Sequence, residues 1–128
     1  MDIYYEPINL RQWNMFERVS GIGHIEAFLA TKNMRVGDIV LLHVGKQVST
    51  IQSGVYAYGH VVELPAIYLG NQEEKCYDNL SVLVKIVRIR HDIPLINEEE
   101  SKKIFTQFRR VHRVNDAYYD KIIKLINE

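Results

Sequence analysis

A run of six residues, Ile39 to Val44, limits most strongly what this chain can fold into. The run is almost entirely apolar, is rich in β-branched residues and follows Gly37-Asp38. A short segment that is apolar on both sides predicts a strand buried on both faces, and such a strand needs a packed layer above and below it. The sequence has 128 residues, of which 47% are apolar, and this is enough for one such core. We therefore expect a single domain.

Two later segments also have the pattern of strands. Between residues 54 and 63 small residues alternate with larger ones, so the two sets are predicted to face opposite sides of one strand. By this alternation Tyr56, Tyr58 and His60 share one face. Residues 79–90 form the next predicted strand, with apolar residues on both sides.

Capping patterns predict helices on both sides of this strand core. Asn9 indicates the start of a helix from Leu10 to about Val19, and residues 25–30 contain good helix formers. Asn97 followed by Glu100 matches a capping box. The remaining expectations are a strand at 3–8, an excursion at 65–78 and a last helix, capped by Asn115 or Asp116, running to the C-terminus.

The order of these elements predicts an α+β fold. The connection between the first two core strands is too short for a parallel crossover, which disfavours a parallel nucleotide-binding sheet. Cys76, the only cysteine, has no partner for a disulfide or a C-x-x-C motif, and this favours a reducing compartment. The sequence shows no signal-peptide pattern and no apolar run of about 18 residues. The expected location is the cytoplasm, without a membrane partner.

The charge distribution excludes one class of nucleic-acid-binding protein. The formal net charge is zero, whereas a protein that holds long duplexes by neutralising phosphates needs an excess of Lys and Arg. The balance is nevertheless uneven, because residues 1–78 carry six basic against nine acidic residues (net −3) and residues 79–128 carry ten against seven (net +3). The basic half fits either a solvated helix surface or a local phosphate contact.

Four segments, in order and spacing, resemble the EVE branch of the PUA-like superfamily, which is related to YTH domains. The resemblance extends from Trp13 to Ile126, although Ser20-Gly21-Ile22-Gly23 stands where the family often has a Trp-Gly segment. The segments are Met34–Leu42, Ser53–Val61, Leu83–Ile89 with its continuation to Ile96, and Phe108–Val111 with the later Tyr118–Ile123.

The resemblance implies a PUA-like curved β-barrel or sheet of about five or six strands flanked by helices. It also implies a surface pocket that receives a modified base of DNA or RNA, in some relatives beside a nuclease effector. Such recognition takes the base out of its stack, so that aromatic side chains contact its face and polar groups read its edge. The chain is therefore expected to be a nucleic-acid-binding reader module rather than an enzyme.

Several residues are candidates for this pocket, each with an ordinary structural alternative. Trp13 can wall a pocket or fill the core, and Tyr56 with Tyr58 can form a stacking platform or pack across strands. His60 is predicted to lie near the ligand, whereas His43 is assigned to the core or to a sheet edge. The loop Ser20, Gly21 and Ile22 can bond a base edge or simply end a helix.

A basic cluster near the C-terminal helix is the candidate phosphate contact. Arg109, Arg110 and Arg113 can grip one or two phosphates, or can remain solvated and offset a helix dipole. The His24-Ile25-Glu26 sequence matches H-x-E but lacks the P-C-x-x-C half of a zinc deaminase, so no metal or other cofactor is expected.

Two alternatives to the reader module remain open. One is a hydrolase of the ASCH-like kin of this fold, acting on acylated nucleosides through Lys85 with Glu63 or Glu26. The other is a protein-interaction domain or homodimer that uses the aromatic strand face. No nucleophile elbow or phosphate-binding glycine loop is present, and Cys76 has no identifiable base beside it.

Overall fold

The apolar run at the centre of the sequence is a strand buried along its whole length. In this computed structural model, which describes residues 1–67 and 79–128, all six residues of the strand are buried. The described strands are β1 (Ile3–Ile8), β2 (Ile25–Leu29), β3 (Ile39–Val44), β4 (Gly54–Ile67), β5 (Leu80–Ile89), β6 (Ile96–Asn97) and β7 (His112–Arg113). The described helices are α1 (Met15–Arg18), α2 (Glu98–Ile104) and α3 (Tyr119–Ile126), with a 3₁₀ helix at Asp116–Tyr118 before α3.

These strands form one mixed, open sheet. Within the described ranges it has seven strands, in the order β2-β5-β4-β3-β1-β7, with β6 paired to β4. β1 and β3 run parallel, and every other pairing is antiparallel. The α+β class is confirmed, and so are the strands predicted around residues 3–8, 38–44, 54–63 and 79–90, whereas the sheet has more than the five or six strands expected.

Each face of the sheet carries its own apolar core. The α1 core lies on one face, where Met15 and Trp13 pack with Val40 and Phe28. The α2/α3 core lies on the other face, where Ile104 and Ile122 pack with Tyr5 and Leu41. The layers above and below β3 that its sequence requires are therefore α1 with its flanking residues on one side and α2 with α3 on the other.

A β-bulge in β4 overturns the prediction that Tyr56, Tyr58 and His60 share one face. Leu42 pairs with Ala57 but His43 pairs with Val55, so Tyr56 is the extra residue of the longer strand. The bulge reverses the alternation at this point. Tyr56 therefore packs in the α1 core, whereas Tyr58 packs in the α2/α3 core and contacts His60 edge to face at 6.4 Å.

Two predicted helices differ from the structure. The helix expected from Leu10 to about Val19 is only the single turn of α1, because Asn14 rather than Asn9 caps it and accepts a hydrogen bond from the Phe16 N–H. The helix expected at residues 25–30 is strand β2, which pairs along its length with β5. The helix propensity of these residues does not decide their structure, because a two-turn helix is only marginally stable by itself. The edge of β5 instead offers the segment a full row of backbone hydrogen bonds.

The C-terminal predictions fit the structure more closely. Asn97 caps α2 by accepting a 2.8 Å hydrogen bond from the Glu100 N–H, and Asn115 caps the 3₁₀ helix before α3. The excursion predicted at residues 65–78 begins too early, because β4 continues to Ile67. Residues 68–78 lie outside the described residues, and with them Cys76 and the predicted solvated charges Glu73, Glu74 and Lys75. Among the described residues no helix is long and apolar enough to span a bilayer.

Gly59, in β4, is a position where the sheet leaves no room for a side chain. A Cβ there would lie 2.4 Å from the Lys85 carbonyl oxygen and 2.7 Å from Val84 Cγ1. We expect Gly59→Ala to lower the free energy of unfolding by about 1–3 kcal/mol, because the backbone of β5 must move. Urea denaturation measures this loss.

Gly45→Ala is the matched control, since the three atoms nearest to the added Cβ all belong to the flexible amide end of Gln47. Its unfolding free energy should stay within about 0.5 kcal/mol of the parent protein. Equal losses of unfolding free energy in the two variants would contradict the conclusion that the close approach of β5 excludes a side chain at Gly59.

Candidate functional site

A large cleft lies where the parallel strands β1 and β3 end together. It encloses about 920 Å³ and is lined by Pro7 and Ile8 at the end of β1, and by His43 and Gly45 at the end of β3. Side chains of α2 and of the segment that follows it complete the lining. A volume of this size accepts a ligand as large as a nucleotide.

His43 lies in this cleft at the end of a hydrogen-bond chain. The Tyr5 hydroxyl is 2.9 Å from the Phe108 carbonyl oxygen, which can only accept, so the hydroxyl proton belongs to that bond. The same oxygen is 3.0 Å from His43 Nδ1 and must accept from it. The neutral ring therefore carries its proton on Nδ1, and Nε2 is left as an acceptor that bonds to no described group.

Burial keeps both members of this chain uncharged. Desolvation lowers the pKa of His43 to about 4, although a hydrogen bond to the backbone of His43 and, to a smaller extent, the charge of Glu98 both act to raise it. Desolvation also raises the pKa of the Tyr5 hydroxyl, and the charge of Glu6 adds to that shift. At neutral pH the cleft therefore presents an uncharged hydrogen-bond acceptor at His43.

Aromatic residues supply the apolar part of the lining. Phe108 is 39% exposed and its ring centroid is 5.3 Å from that of His43, so it offers an accessible ring. Trp13 lines the same cleft from the α1 side but is only 4% exposed. Its ring packs edge to face on that of Phe28, with 5.5 Å between the ring centroids. Trp13 therefore serves both alternatives predicted for it, as a core residue and as part of a cleft wall.

The charged residues that line the cleft are predominantly basic. They are Lys46, Lys102 and Arg109 against one carboxylate, that of Glu98. Glu98 pairs with Lys46 and lies 3.4 Å from Lys102, and these contacts lower the pKa of its carboxyl group. Arg109 forms no ion pair within the described residues. A protein of zero net charge thus carries a local positive excess at this site.

Two polar side chains of the lining are buried without a hydrogen-bond partner among the described residues. Ser101, on α2, is fully buried, and its Oγ is one of them. The Oε1 atom of Gln47 is the other. Buried polar atoms in native proteins are almost always hydrogen-bonded to protein or to ordered water, so each of these two atoms can form a further hydrogen bond with a water molecule or a polar ligand.

Tyr56, Tyr58 and His60 lie outside this cleft. The Tyr56 hydroxyl donates to the Gln52 carbonyl at 2.6 Å, and its ring packs edge to face on Phe16. Tyr58 is buried in the other core. His60 is half-buried, with Nδ1 3.2 Å from the Gly37 carbonyl oxygen. The stacking platform predicted on β4 is therefore wrong, because both tyrosine rings are covered by packing.

The loop Ser20, Gly21 and Ile22 does not line the cleft either. Gly21 adopts a φ of 141°, which favours glycine, and Ile22 is 79% exposed. The Ser20 hydroxyl lies 3.2 Å from His24 Nδ1. The loop follows the end of α1, as the structural alternative predicted, and the polar groups of Ser20 bond to His24 within the chain.

The predicted arginine cluster is divided by the fold. Only Arg109 lines the cleft. Arg110 is exposed, and its carbonyl oxygen lies 2.9 Å from His112 Nδ1. Arg113 lies on β7, where Asp116 at 2.7 Å and Asp2 at 3.8 Å balance its charge and raise its pKa. Of the three predicted phosphate contacts, Arg109 alone joins the cleft lining.

The hydrolase alternative requires Lys85 to lie beside Glu26 or Glu63, and Lys85 does not pair with Glu26. Lys85 pairs with Ile25 across the sheet, whereas Glu26 pairs with Val84, so Lys85 and Glu26 face opposite sides. Lys85 and Glu63 share a face, are both exposed, and form no ion pair with each other in the described structure. No group of three potential metal ligands is brought together among the described residues.

Sequence reasoning missed most of the cleft. The sequence predicts that His43 belongs to the core or to a sheet edge, and Lys46, Gln47 and Ser101 are part of no motif. One signal was available, because a histidine within an otherwise apolar strand must find a polar partner when it is buried. That partner, Tyr5, is 38 residues distant in sequence.

The buried His43 predicts a pH dependence of stability. Above pH 6.5 the ring is neutral in both folded and unfolded chains, so its contribution to stability is complete. Between pH 6.5 and about 4, His43 binds a proton in the unfolded chain but not in the folded chain. The free energy of unfolding therefore falls as the pH falls. The total loss from this group is about 3 kcal/mol.

Urea denaturation at pH 7.5 and 4.5 checks this expectation. His43→Gln should reduce the difference in unfolding free energy between the two pH values, because glutamine does not titrate. His91→Gln, which removes an exposed histidine instead, is the control. An unchanged difference in the His43 variant would refute the role assigned to burial.

Comparison with solved structures identifies the same overall arrangement elsewhere. A hypothetical protein from Leishmania major superposes with a TM-score of 0.66 at 16% identity, covering 99% of this chain and 95% of that one. Protein Rpa0253 from Rhodopseudomonas palustris gives 0.65 at 12% identity, covering 99% and 94%. Human THYN1, in a crystal structure with DNA containing 5-methylcytosine, gives 0.63 at 12% identity, covering 100% and 99%.

These likenesses extend over whole chains and establish the fold. No protein-family model matches the sequence, and no curated protein matches it. The chain therefore has an α+β fold of the PUA-like kind, as the sequence resemblance implied.

Proposed function

We propose that this protein is a nucleic-acid-binding module that holds a single base, in particular a modified base, in the cleft at the ends of β1 and β3. The observation that carries the proposal is the combination within one cleft of an accessible aromatic ring with a cation and buried polar atoms that have no partner among the described residues. The role is binding, without catalysis in the cleft, by a cytoplasmic protein.

The charges of the cleft support contact with the phosphate backbone. Arg109 is exposed and forms no described ion pair, so a phosphate can meet it without breaking an existing contact. Lys46 and Lys102 share one carboxylate, that of Glu98, so within the described part of the chain one of the two positive charges is unbalanced. Two or three phosphate contacts suit a protein that grips a short stretch of backbone around one base.

The polar and aromatic groups suit the base itself. Stacking on an exposed ring such as that of Phe108 contributes about 1–3 kcal/mol per base and tolerates any base. His43 Nε2 and Gln47 Oε1 are acceptors, and Ser101 Oγ can donate or accept. A set of this kind favours a base edge that carries N–H donors, which cytosine and adenine present as exocyclic amino groups.

The structural neighbours add independent support. Human THYN1 was crystallised with DNA containing 5-methylcytosine, and its fold spans the whole of this chain. The same arrangement of elements in that protein is therefore compatible with holding DNA. The proposal extends this capacity to the present chain through its own cleft residues.

Substitution of neighbouring arginines tests the phosphate contact. Arg109→Ala should weaken the binding of a fluorescently labelled single-stranded oligonucleotide about tenfold and lower the slope of log K against log salt by about one, because one phosphate contact is lost. Arg110→Ala removes the same charge one residue away but outside the cleft lining. It should bind like the parent protein, and equal losses in the two variants would place the contact elsewhere.

Oligonucleotides with a single modified base test the capture of a base. A strand with one 5-methylcytosine should bind more tightly than its unmodified counterpart and should change the emission of Trp13, the only tryptophan and a cleft-lining residue. Phe108→Leu should weaken binding to both strands by about tenfold through loss of stacking. Equal affinity for modified and unmodified strands, with no change in emission, would refute base capture.

A further inference from the structure

A second group of interacting side chains lies outside the cleft, on the loop between α1 and β2 and on β2 itself. Ser20 Oγ is 3.2 Å from His24 Nδ1, and His24 Nε2 is 2.8 Å from Glu26 Oε1. None of the three lines the cleft proposed for nucleic acid. A hydroxyl, an imidazole and a carboxylate are thus connected in a row.

The direction of every bond in this row follows from its partners. The Glu26 carboxylate can only accept, so His24 Nε2 carries the proton and donates to it. The Ser20 backbone N–H, at 3.4 Å from Nδ1, can only donate, so Nδ1 is the acceptor. The Ser20 hydroxyl therefore donates to Nδ1, which is the arrangement that general-base activation of a hydroxyl requires.

We propose that Ser20, His24 and Glu26 form a nucleophilic site that cleaves small carboxylic esters. The two ring nitrogens exchange partners relative to serine hydrolase triads, in which the serine bonds to Nε2 and the carboxylate to Nδ1. Here the serine bonds to Nδ1 and the carboxylate to Nε2. The order of roles is the same: nucleophile, general base, and a carboxylate that orients the base. Recognition of such an arrangement depends on geometry and roles rather than on sequence position.

The reaction divides into two balanced steps. Ser20 Oγ attacks the ester carbonyl carbon while its proton passes to His24 Nδ1, and the C–O bond to the alcohol then breaks. The alcohol leaves with the proton from Nδ1, and the acyl group stays on Ser20. A water molecule, deprotonated at Nδ1, then attacks the acyl carbonyl, which releases the carboxylic acid and restores the serine hydroxyl.

The loop around Ser20 provides further groups for this chemistry. The backbone N–H groups of Gly21 and Ile22 donate to no described group and follow directly after the nucleophile. An N–H in that position supplies part of the oxyanion hole in serine hydrolases. The loop is fixed to β5, since the Gly23 N–H donates to the Ile86 carbonyl and the Ile86 N–H donates to the His24 carbonyl, both at 2.8 Å.

The surroundings also indicate a substrate class. Ser20 is exposed, so a substrate reaches its hydroxyl directly from solvent. Ile22 and Ile25 are 79% and 52% exposed, and they flank His24 in sequence. This open and partly apolar setting fits a short acyl chain on a reactive ester rather than a large substrate that needs an enclosed pocket.

Hydrolysis of p-nitrophenyl acetate by the purified full chain is the direct test. The protein should release p-nitrophenolate faster than buffer, and Ser20→Ala and His24→Gln should each lower the rate at least about tenfold. Glu26→Gln tests a positioning role, and it should lower kcat while KM stays constant. Ser49→Ala, at an exposed serine outside this group, should keep the parental rate.

Two results would overturn the proposal. One is retention of the rate in Ser20→Ala together with its loss in His24→Gln, since the imidazole would then attack alone. The other is failure of a fluorophosphonate probe to add to Ser20, read by peptide mass spectrometry. Oligonucleotide binding by Ser20→Ala should equal that of the parent protein, so failure of this site is distinguishable from failure of the nucleic-acid cleft.

Discussion

The parallel pairing of β1 with β3 is the constraint on which the rest of the structure depends. Parallel strands cannot be joined by a tight turn, so the chain between them must cross over, and here residues 9–38 do so through α1 and β2. The crossover places α1 over one face of β3. Because both strands run in the same direction, they also end at the same edge, where Pro7 lies beside His43 and the cleft opens. Core and site therefore follow from a single pairing.

Local sequence patterns predicted the elements whose environment is uniform along their length. β3 and β5 were predictable because their apolar residues specify burial directly, and α2 because Asn97 caps it through a contact three residues away. The failures share a physical cause. The residues of β2 favour a helix until the edge of β5 offers them partners, and the bulge at Tyr56 exists only in the register between β3 and β4. Information of this kind resides in pairs of segments and cannot be obtained from either segment alone.

The charge of the site shows the same dependence on tertiary structure. The sequence indicates a basic cluster at residues 109–113, but its members do not share one site in the fold. Asp2 and Asp116 balance the charge of Arg113, which lies outside the cleft. The fold instead joins Arg109 to Lys46 and Lys102, which come from two other segments. A chain with zero net charge can in this way present a local positive site without the broad basic surface that duplex binding requires.

The hydrogen-bond chain from Phe108 through Tyr5 to His43 connects the shape of the cleft to its chemistry. The Phe108 carbonyl fixes the direction of the Tyr5 hydroxyl, and that direction fixes which nitrogen of His43 carries the proton. A protonated His43 would turn Nε2 from an acceptor into a donor and would reverse the preference for N–H groups that we propose for the site. Burial holds the pKa of the ring at about 4, so the acceptor persists throughout the neutral range. Phe108 thus contributes twice, since its backbone sets the state of the histidine while its ring remains available for stacking.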